Sequence, residues 1–256
     1  MKQLTIVKVG GAVVEDDNRL HALLDSFCRI EGRKILVHGG GRSATRLAAS
    51  LGIESRMVGG RRITDSSMLR VVTMVYGGLV NKNLVAQLQA RGENALGLTG
   101  ADMDVIRSHK RIVEDIDYGY VGDVDKVDGT RLASLIESGV TPIMAPLTHD
   151  GKGNILNTNA DTIAAETAKS LAGSYSVTLV YAFEKPGVLA DPDDDGSVIR
   201  HIDTSTFETL KSQGAIAGGM MPKLQNAFSA IAAGVSRVTI TADTDLKAER
   251  GTIISE

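Results

Sequence analysis

Two short apolar, β-branched runs each stop at a cluster of glycines and give way to a stretch of helical periodicity. They are Leu4 to Val9, which ends at Gly10-Gly11, and Lys34 to Val37, which passes through His38 into Gly39-Gly40-Gly41. A strand that breaks at glycine and is followed by a helix is the repeating unit of an open α/β sheet buried on both faces. The following helices are expected over 16–30, where Leu20, Leu23, Leu24, Phe27 and Cys28 fall at helical spacing, and over 42–51. Cys28 therefore reads as a small core hydrophobe. Further along, Gly59-Gly60 marks a hairpin, and Asp65-Ser66-Ser67 can cap a long helix carrying Met68, Val71, Val72, Val75 and Leu79. Residues 105–127 alternate as antiparallel β-structure does, and a hairpin is expected at Asp150-Gly151. Helices over 130–138, 160–171, 204–213 and 222–233 alternate with strands over 94–98, 141–145, 177–181, 237–241 and 252–255. The expected fold is a three-layer α/β/α sandwich with a mainly parallel central sheet, a β-hairpin excursion and two lobes, residues 1–145 and 146–256.

Composition removes several classes of function. The 256 residues are 43% hydrophobic and 23% charged, enough to bury a large core. With 28 Lys plus Arg against 31 Asp plus Glu, there is no basic excess to track a nucleic-acid backbone. No apolar run approaches the ~20 residues that cross a bilayer. A single Cys excludes an intramolecular disulfide, and the chain enters its first strand without an apolar leader, so a cytoplasmic protein is expected. Aromatic residues are 4% of the chain, Trp is absent and glycines number 28, which favours small-molecule chemistry at backbone-lined turns.

The candidate chemistry lies at the turns. Gly39-Gly40-Gly41 before a helix can present backbone N–H groups to an anion. The segment Gly39 to Ala44 also fits the dinucleotide pattern G-x-G-x-x-A, although an acidic strand end ~20 residues on is missing, so an oxidoreductase stays as an alternative. His38 reads as a hydrogen-bonded structural residue. No Walker A sequence is present. Lys8 interrupts an apolar strand just before Gly10-Gly11, where burial of an ammonium requires an anionic partner. Lys223, in Gly218-Gly219-Met220-Met221-Pro222-Lys223, sits at a helix start, where the dipole disfavours a cation unless an anion is bound. Asn157-Thr158-Asn159-Ala160-Asp161 opens a helix and can serve as its cap. Asp191 to Gly196 imitates half of a calcium loop but has Ile202 at the twelfth position, and reads as a solvated acidic turn.

In order, Ile6 to Gly11, His38 to Gly41, Gly60-Arg61-Arg62-Ile63-Thr64, Asn157 to Asp161 and Gly219 to Lys223 resemble the motifs of the amino acid kinase family, in the branch that acts on N-acylglutamates in arginine biosynthesis. The resemblance implies an acyl amino acid lobe (1–145), an ATP lobe (146–256) and formation of an acyl phosphate from ATP. By it, Lys8 and Lys223 neutralise charge on the transferring phosphoryl group and on the ADP side, and Asp161 holds the two ammonium groups. Gly40, Gly41, Arg62, Asn157 and Asn159 face the acyl amino acid. Gly10, Gly11, Glu184, Gly187, Leu189, Ala215 and Ala217 face the nucleotide, whose phosphates carry Mg2+; no protein metal site is implied. Phe183 to Leu189 departs from the family's Asp-x-x-Gly pattern on the adenine and ribose side. N-acetyl is the family's usual acyl group; N-succinyl would require a further cation near Arg61 or Arg107. Another kinase activity of the family and a non-catalytic amino acid sensor are the remaining alternatives. A homodimer through the helix after Asp65 is also implied. The extra N-terminal helix of arginine-inhibited hexameric members is not found ahead of the first strand, so arginine-dependent assembly is not expected.

Overall fold

The computed structural model describes residues 1–212 and 220–255. The chain begins with β1 (Lys2–Val9), a helical turn α1 (Gly11–Val14), α2 (Asp17–Cys28), β2 (Arg33–His38) and α3 (Gly41–Ser50). A small hairpin, β3 (Met57–Val58) and β4 (Arg61–Arg62), leads into α4 (Ser66–Val72), which continues through a π-helical stretch (Thr73–Val80) into α5 (Asn81–Gln89). Then come β5 (Ala95–Leu98), β6 (Ile106–Lys110), β7 (Gly122–Val127), α6 (Gly129–Glu137), β8 (Thr141–Met144), β9 (Leu147–His149) and β10 (Ile155–Asn157). The remaining elements are α7 (Ala160–Leu171), β11 (Tyr175–Phe183), β12 (His201–Ile202), α8 (Thr204–Ser212), α9 (Met220–Ala232), β13 (Arg237–Ala242) and β14 (Thr252–Ile254). Helix starts are set by side chains that accept from the first free amides: Asp16 from Arg19, Asp65 from Met68, and Asn159 from Asp161 and Thr162.

Among the described residues, one eight-stranded sheet runs in the order β12-β14-β13-β11-β1-β2-β8-β5. All its pairs are parallel except β13 with β14. Successive side chains of β1 enter opposite layers, as the strand period of two requires. Leu4 and Ile6 pack with Leu132, Ile163, Ala168 and Leu224 of α6, α7 and α9. Val7 and Val9 pack with Leu23, Leu24, Phe27, Met68 and Leu84 on the other side. The same alternation puts Lys8 on the α7/α9 side, one residue short of the carboxyl edge and paired with Val37 and Tyr181 of the neighbouring strands. The three-layer expectation therefore holds.

One feature departs from the sequence reading and a second refines it. The β6–β7 hairpin is not a lone excursion: β9 and β10 join it in a four-stranded sheet of order β10-β9-β6-β7. The long helix after Asp65 spends most of its apolar surface internally. Met68, Val71, Val72 and Val75 are fully buried within the monomer, while Leu79 is 57% exposed and Met74 52%. Cys28 is half-buried, and burial pushes its thiol pKa up, in keeping with a packing role.

The connection before β7 is tied to the turn after β4. Thr64 N–H donates to Tyr118 O (3.0 Å) and Tyr120 N–H donates to Thr64 O (2.6 Å). Gly119 between them has φ +70°, and a Cβ there would lie 2.2 Å from the Thr64 carbonyl oxygen. Gly119→Ala thus combines an unfavourable backbone region with a backbone collision. A loss of at least ~2 kcal/mol is expected, read as a lower urea midpoint at unchanged slope. A midpoint equal to that of the parent chain would show that the tie yields freely.

Candidate active site

Three charged side chains from distant parts of the chain meet at the carboxyl edge of the central strands. Lys8 Nζ lies 2.7 Å from Asp161 Oδ1, and Lys223 Nζ lies 3.1 Å from Asp161 Oδ2. All three side chains are between 10% and 14% exposed. β1 presents Lys8 by its alternation, the first turn of α7 presents Asp161, and α9, packed beside α7, presents Lys223. Lys223 Nζ also stands 5.1 Å from the centre of the Tyr181 ring and 5.8 Å from that of Phe183, both on β11. Burial alone would raise the Asp161 pKa, but the charges of Lys8 and then Lys223 outweigh it and hold the carboxyl well below the usual carboxylate range. For Lys223, burial and the nearby Lys8 lower the pKa, with Asp161 opposing them. Two cations around one anion leave a surplus positive charge in a poorly solvated place, which an anionic group would neutralise.

The glycine turns after β1 and β2 face one another beside this cluster. A Cβ on Gly39 would lie 3.2 Å from Gly11 N, and one on Gly11 would lie 3.4 Å from Gly40 N and 3.6 Å from Gly41 N. Side chains at these positions would fill the space that the backbone amides now share. Gly10 N–H donates to Ala182 O (3.0 Å), tying the first turn to the end of β11. A Cβ on Gly40 would lie 3.0 Å from Tyr76 Cδ1. Glu15 was not singled out by sequence reasoning. Its Oε1 accepts from both Ser43 N–H and Ser43 Oγ (2.9 Å for the hydroxyl), and its Oε2 pairs with Arg46 at 2.7 Å, so it caps the first turn of α3.

A cavity of about 180 Å³ opens beside the glycines and is lined by Gly40, Gly41, Arg62, Tyr76, Asn157 and Asn159, among others. Arg62 is 7% exposed. One terminal nitrogen donates to Gly41 O (2.8 Å) and Thr45 Oγ1 (3.0 Å), and the other to Ser55 Oγ. Its Nε is buried without a hydrogen-bond partner. Asn157 donates to Thr64 Oγ1 (2.9 Å), whereas the Asn159 side-chain oxygen is taken up by the cap of α7. The structure thus gathers Lys8, Asp161 and Lys223 into one cluster, brings the turns of Gly10-Gly11 and Gly40-Gly41 face to face, and sets Gly40, Gly41, Arg62, Asn157 and Asn159 around the cavity.

The expected nucleotide side is less uniform. Glu184 is half-exposed, 3.7 Å from Arg42 and within 3.7 Å of where a Gly10 Cβ would stand. With Pro186, Val198, Ala242 and Thr244 it borders a cavity of about 670 Å³. Gly187 is tightly packed: a Cβ there would lie 2.8 Å from Thr252 Oγ1 and 2.9 Å from Val198 Cγ1. Leu189 forms a β-bridge with Val198. Ala215 and Ala217 lie outside the described residues, as do Gly218 and Gly219. The acidic turn satisfies itself, with Asp191 and Asp194 accepting from local amides and Asp195 paired to Lys185 at 2.9 Å. A larger cavity, about 840 Å³ over Thr5, Thr178 and Thr239, lies on the face of the sheet away from Lys8.

The sequence profile of the amino acid kinase family matches residues 3–242. The chain belongs to the amino acid kinase family. It is 64% identical over 255 residues to the acetylglutamate kinase of Phocaeicola vulgatus, covering all of this chain and 99% of that one. Among solved structures, smu.665 from Streptococcus mutans superposes with a TM-score of 0.80 at 27% identity, covering 98% of each chain. The N-acetylglutamate synthase of Neisseria gonorrhoeae, complexed with coenzyme A and N-acetyl-glutamate, shares the fold at TM-score 0.83 and 23% identity. That alignment covers all of this chain and 59% of the synthase.

Because the folded pKa of Asp161 is depressed, its ionisation stabilises the fold at pH above the unfolded value of 3.8, and that contribution is lost as pH falls through and below it. Asp161→Asn leaves two close ammonium groups without their shared anion. The variant is expected to be less stable than the parent at pH 7, with the gap narrowing as the pH is lowered through 4 and below. Urea titrations across that range check it, and a gap independent of pH would refute the electrostatic account.

Proposed function

We propose that this chain is an ATP-dependent kinase that phosphorylates the side-chain carboxylate of N-acetyl-L-glutamate to an acyl phosphate, in arginine biosynthesis. The observation that carries the reading is the pair of lysines held around Asp161 directly beside two facing glycine turns; the likeness to acetylglutamate kinases over the full chain supports the substrate. A carboxylate is already ionised at pH 7, so no base is required. Its oxygen attacks the γ-phosphorus of ATP, the bond from that phosphorus to the β–γ bridging oxygen breaks, and ADP leaves with the electron pair. Catalysis then consists of positioning and charge stabilisation. Lys8 and Lys223 meet the charge on the equatorial and leaving oxygens, Asp161 sets their spacing, and the amides of Gly10, Gly11, Gly40 and Gly41 donate to phosphate oxygens. The unpaired Nε of Arg62 suits the α-carboxylate of the substrate, with Asn157 and Asn159 along the same wall.

Among the described residues, no three His, Cys, Asp or Glu side chains converge to hold a metal ion, and Asp161 is already engaged by two lysines. This chemistry suits Mg2+ that arrives on the nucleotide phosphates, where it neutralises their charge. Glu184, Gly187, Leu189, Ala215 and Ala217 complete the nucleotide side in this reading.

One observation favours a second reading of the acyl group. Arg61 lines the substrate cavity half-buried, its pKa lowered by burial and by the neighbouring Arg111, with no carboxylate at ion-pair distance among the described residues. Arg107 is committed to Asp104 at 2.6 Å. An unpaired guanidinium there suits an acyl group with its own carboxylate, as in N-succinylglutamate. Trapping acyl phosphate with hydroxylamine, using N-acetylglutamate, N-succinylglutamate and free glutamate in turn, separates the two. Lys8→Ala and Lys223→Ala are each expected to lower kcat by ~10² to 10³ with smaller effects on KM. Wild-type kcat in both variants would overturn the mechanism.

The reaction is assigned to the cytoplasm; among the described residues no helix is long and apolar enough to cross a membrane. A homodimer is assigned to the exposed side of the long helix, where Met74 and Leu79 remain uncovered. Light scattering is expected to give twice the 27.0 kDa chain mass, and Met74→Asp with Leu79→Asp to give the monomer. A mass near 27.0 kDa for the parent chain at all concentrations would reject the dimer.

A further inference from the structure

His38 is the last residue of β2, completely buried, and takes no part in the chemistry above. Its Nδ1 lies 2.8 Å from Gly39 O, and its Nε2 lies 3.1 Å from Nδ2 of Asn81. The same Asn81 Nδ2 donates to Ile143 O at 2.9 Å. A carbonyl oxygen only accepts, so the amide edge that meets Ile143 O is fixed as the NH2 group and a flipped Asn81 is excluded. The second N–H of that group then points at His38 Nε2, which must be unprotonated. The ring is therefore neutral, with its proton on Nδ1, donating to Gly39 O. Burial acts in the same direction, holding the imidazole pKa down at about 4.

The peptide joining Gly39 to Gly40 is planar and trans, so its C=O and N–H point in opposite directions. Holding the Gly39 oxygen against the buried ring turns the Gly40 N–H outward, toward Gly11 and the cleft between the two glycine turns. The long helix supplies this arrangement through its π-helical stretch. Asn81 N–H donates to Tyr76 O, a five-residue closure. In an α-helix, side chains five apart diverge by about 140°; the wider turn brings Tyr76, which packs on Gly40, and Asn81, which holds His38, to the same side.

We infer that His38, locked by Asn81 as the Nδ1–H tautomer, is a positioning residue that aims the Gly40 amide at the phosphoryl group being transferred. This rests on the kinase reading above, in which Gly40 is a phosphate donor. The test is steady-state kinetics on the full chain with N-acetylglutamate and ATP, together with 15N spectra of ring-labelled histidine. The spectra are expected to show a buried histidine protonated on Nδ1 and bare on Nε2 that is missing from His38 variants. His38→Leu is expected to lower kcat by ~10² with little change in either KM, because a donor swung out of line is lost mainly in the transition state. His38→Asn places an amide N–H where Nδ1 stood and is expected to recover most of that kcat, although it cannot reach Asn81. A folded His38→Leu with wild-type kcat, or an Nε2–H tautomer in the parent chain, overturns the assignment while leaving the kinase reading intact. If His38→Leu does not fold, a His38→Asn variant that folds but is as slow as the lysine variants overturns it as well. An inactive parent chain removes the kinase reading and this inference with it.

Discussion

The site depends on one unfavourable act, placing two ammonium groups and a carboxylate where water scarcely reaches. Each ion loses several kcal/mol of hydration on burial, and a single buried pair often does little better than break even. Here the carboxylate of Asp161 is shared, so two cations are compensated by one anion and the cluster keeps a net positive charge. That imbalance is poor for stability and useful for binding a highly charged phosphate. The cluster also ties distant parts of the chain together, because positions 8, 161 and 223 meet only when α7 and α9 pack side by side on the face of the sheet that carries Lys8.

Much of this was legible in the sequence because it follows from period and from glycine. A lysine on the core face of a strand has to have a partner, and the strand-glycine-helix order puts that partner at the carboxyl edge. The caps at Asp65 and Asn159 were equally readable. The union of β6–β7 with β9–β10 was not, since pairing between distant hairpins is decided by packing rather than by local pattern. The apolar helix after Asp65 could not be divided by inspection into core and exposed faces, because its middle leaves the 3.6-residue repeat. Met74 and Leu79 stay exposed for this reason while Val75 and Tyr76 are buried.

Two functional neighbours, Glu15 and Asn81, had no signal at all in the sequence. Both act through backbone: Glu15 occupies free amide and hydroxyl groups at the start of α3, and Asn81 reaches a carbonyl of β8 and the ring of His38. Supports of this kind are defined by where a main-chain group happens to lie, and a residue type alone does not reveal that. Glu15 has a further consequence for the substrate. By taking the Ser43 amide it removes one of the α3 donors, so that in the proposed mode of binding the amides of Gly40 and Gly41 are the ones left for an anion.

Transfer to a carboxylate needs no proton to move, and the histidine nearest the site is built to keep its own proton still. A base would have to be partly solvated and free to change charge. His38 is buried, neutral and held at both nitrogens. In the proposed mechanism the site's variable charge rests with the nucleotide and acyl amino acid, while the protein contributes a fixed field from two lysines and a set of glycine amides. Glycine at positions 39–41 leaves the cleft side of the turn bare of side chains. Gly39 needs that bareness most, because a single methyl group on it would come within 3.2 Å of the opposite turn.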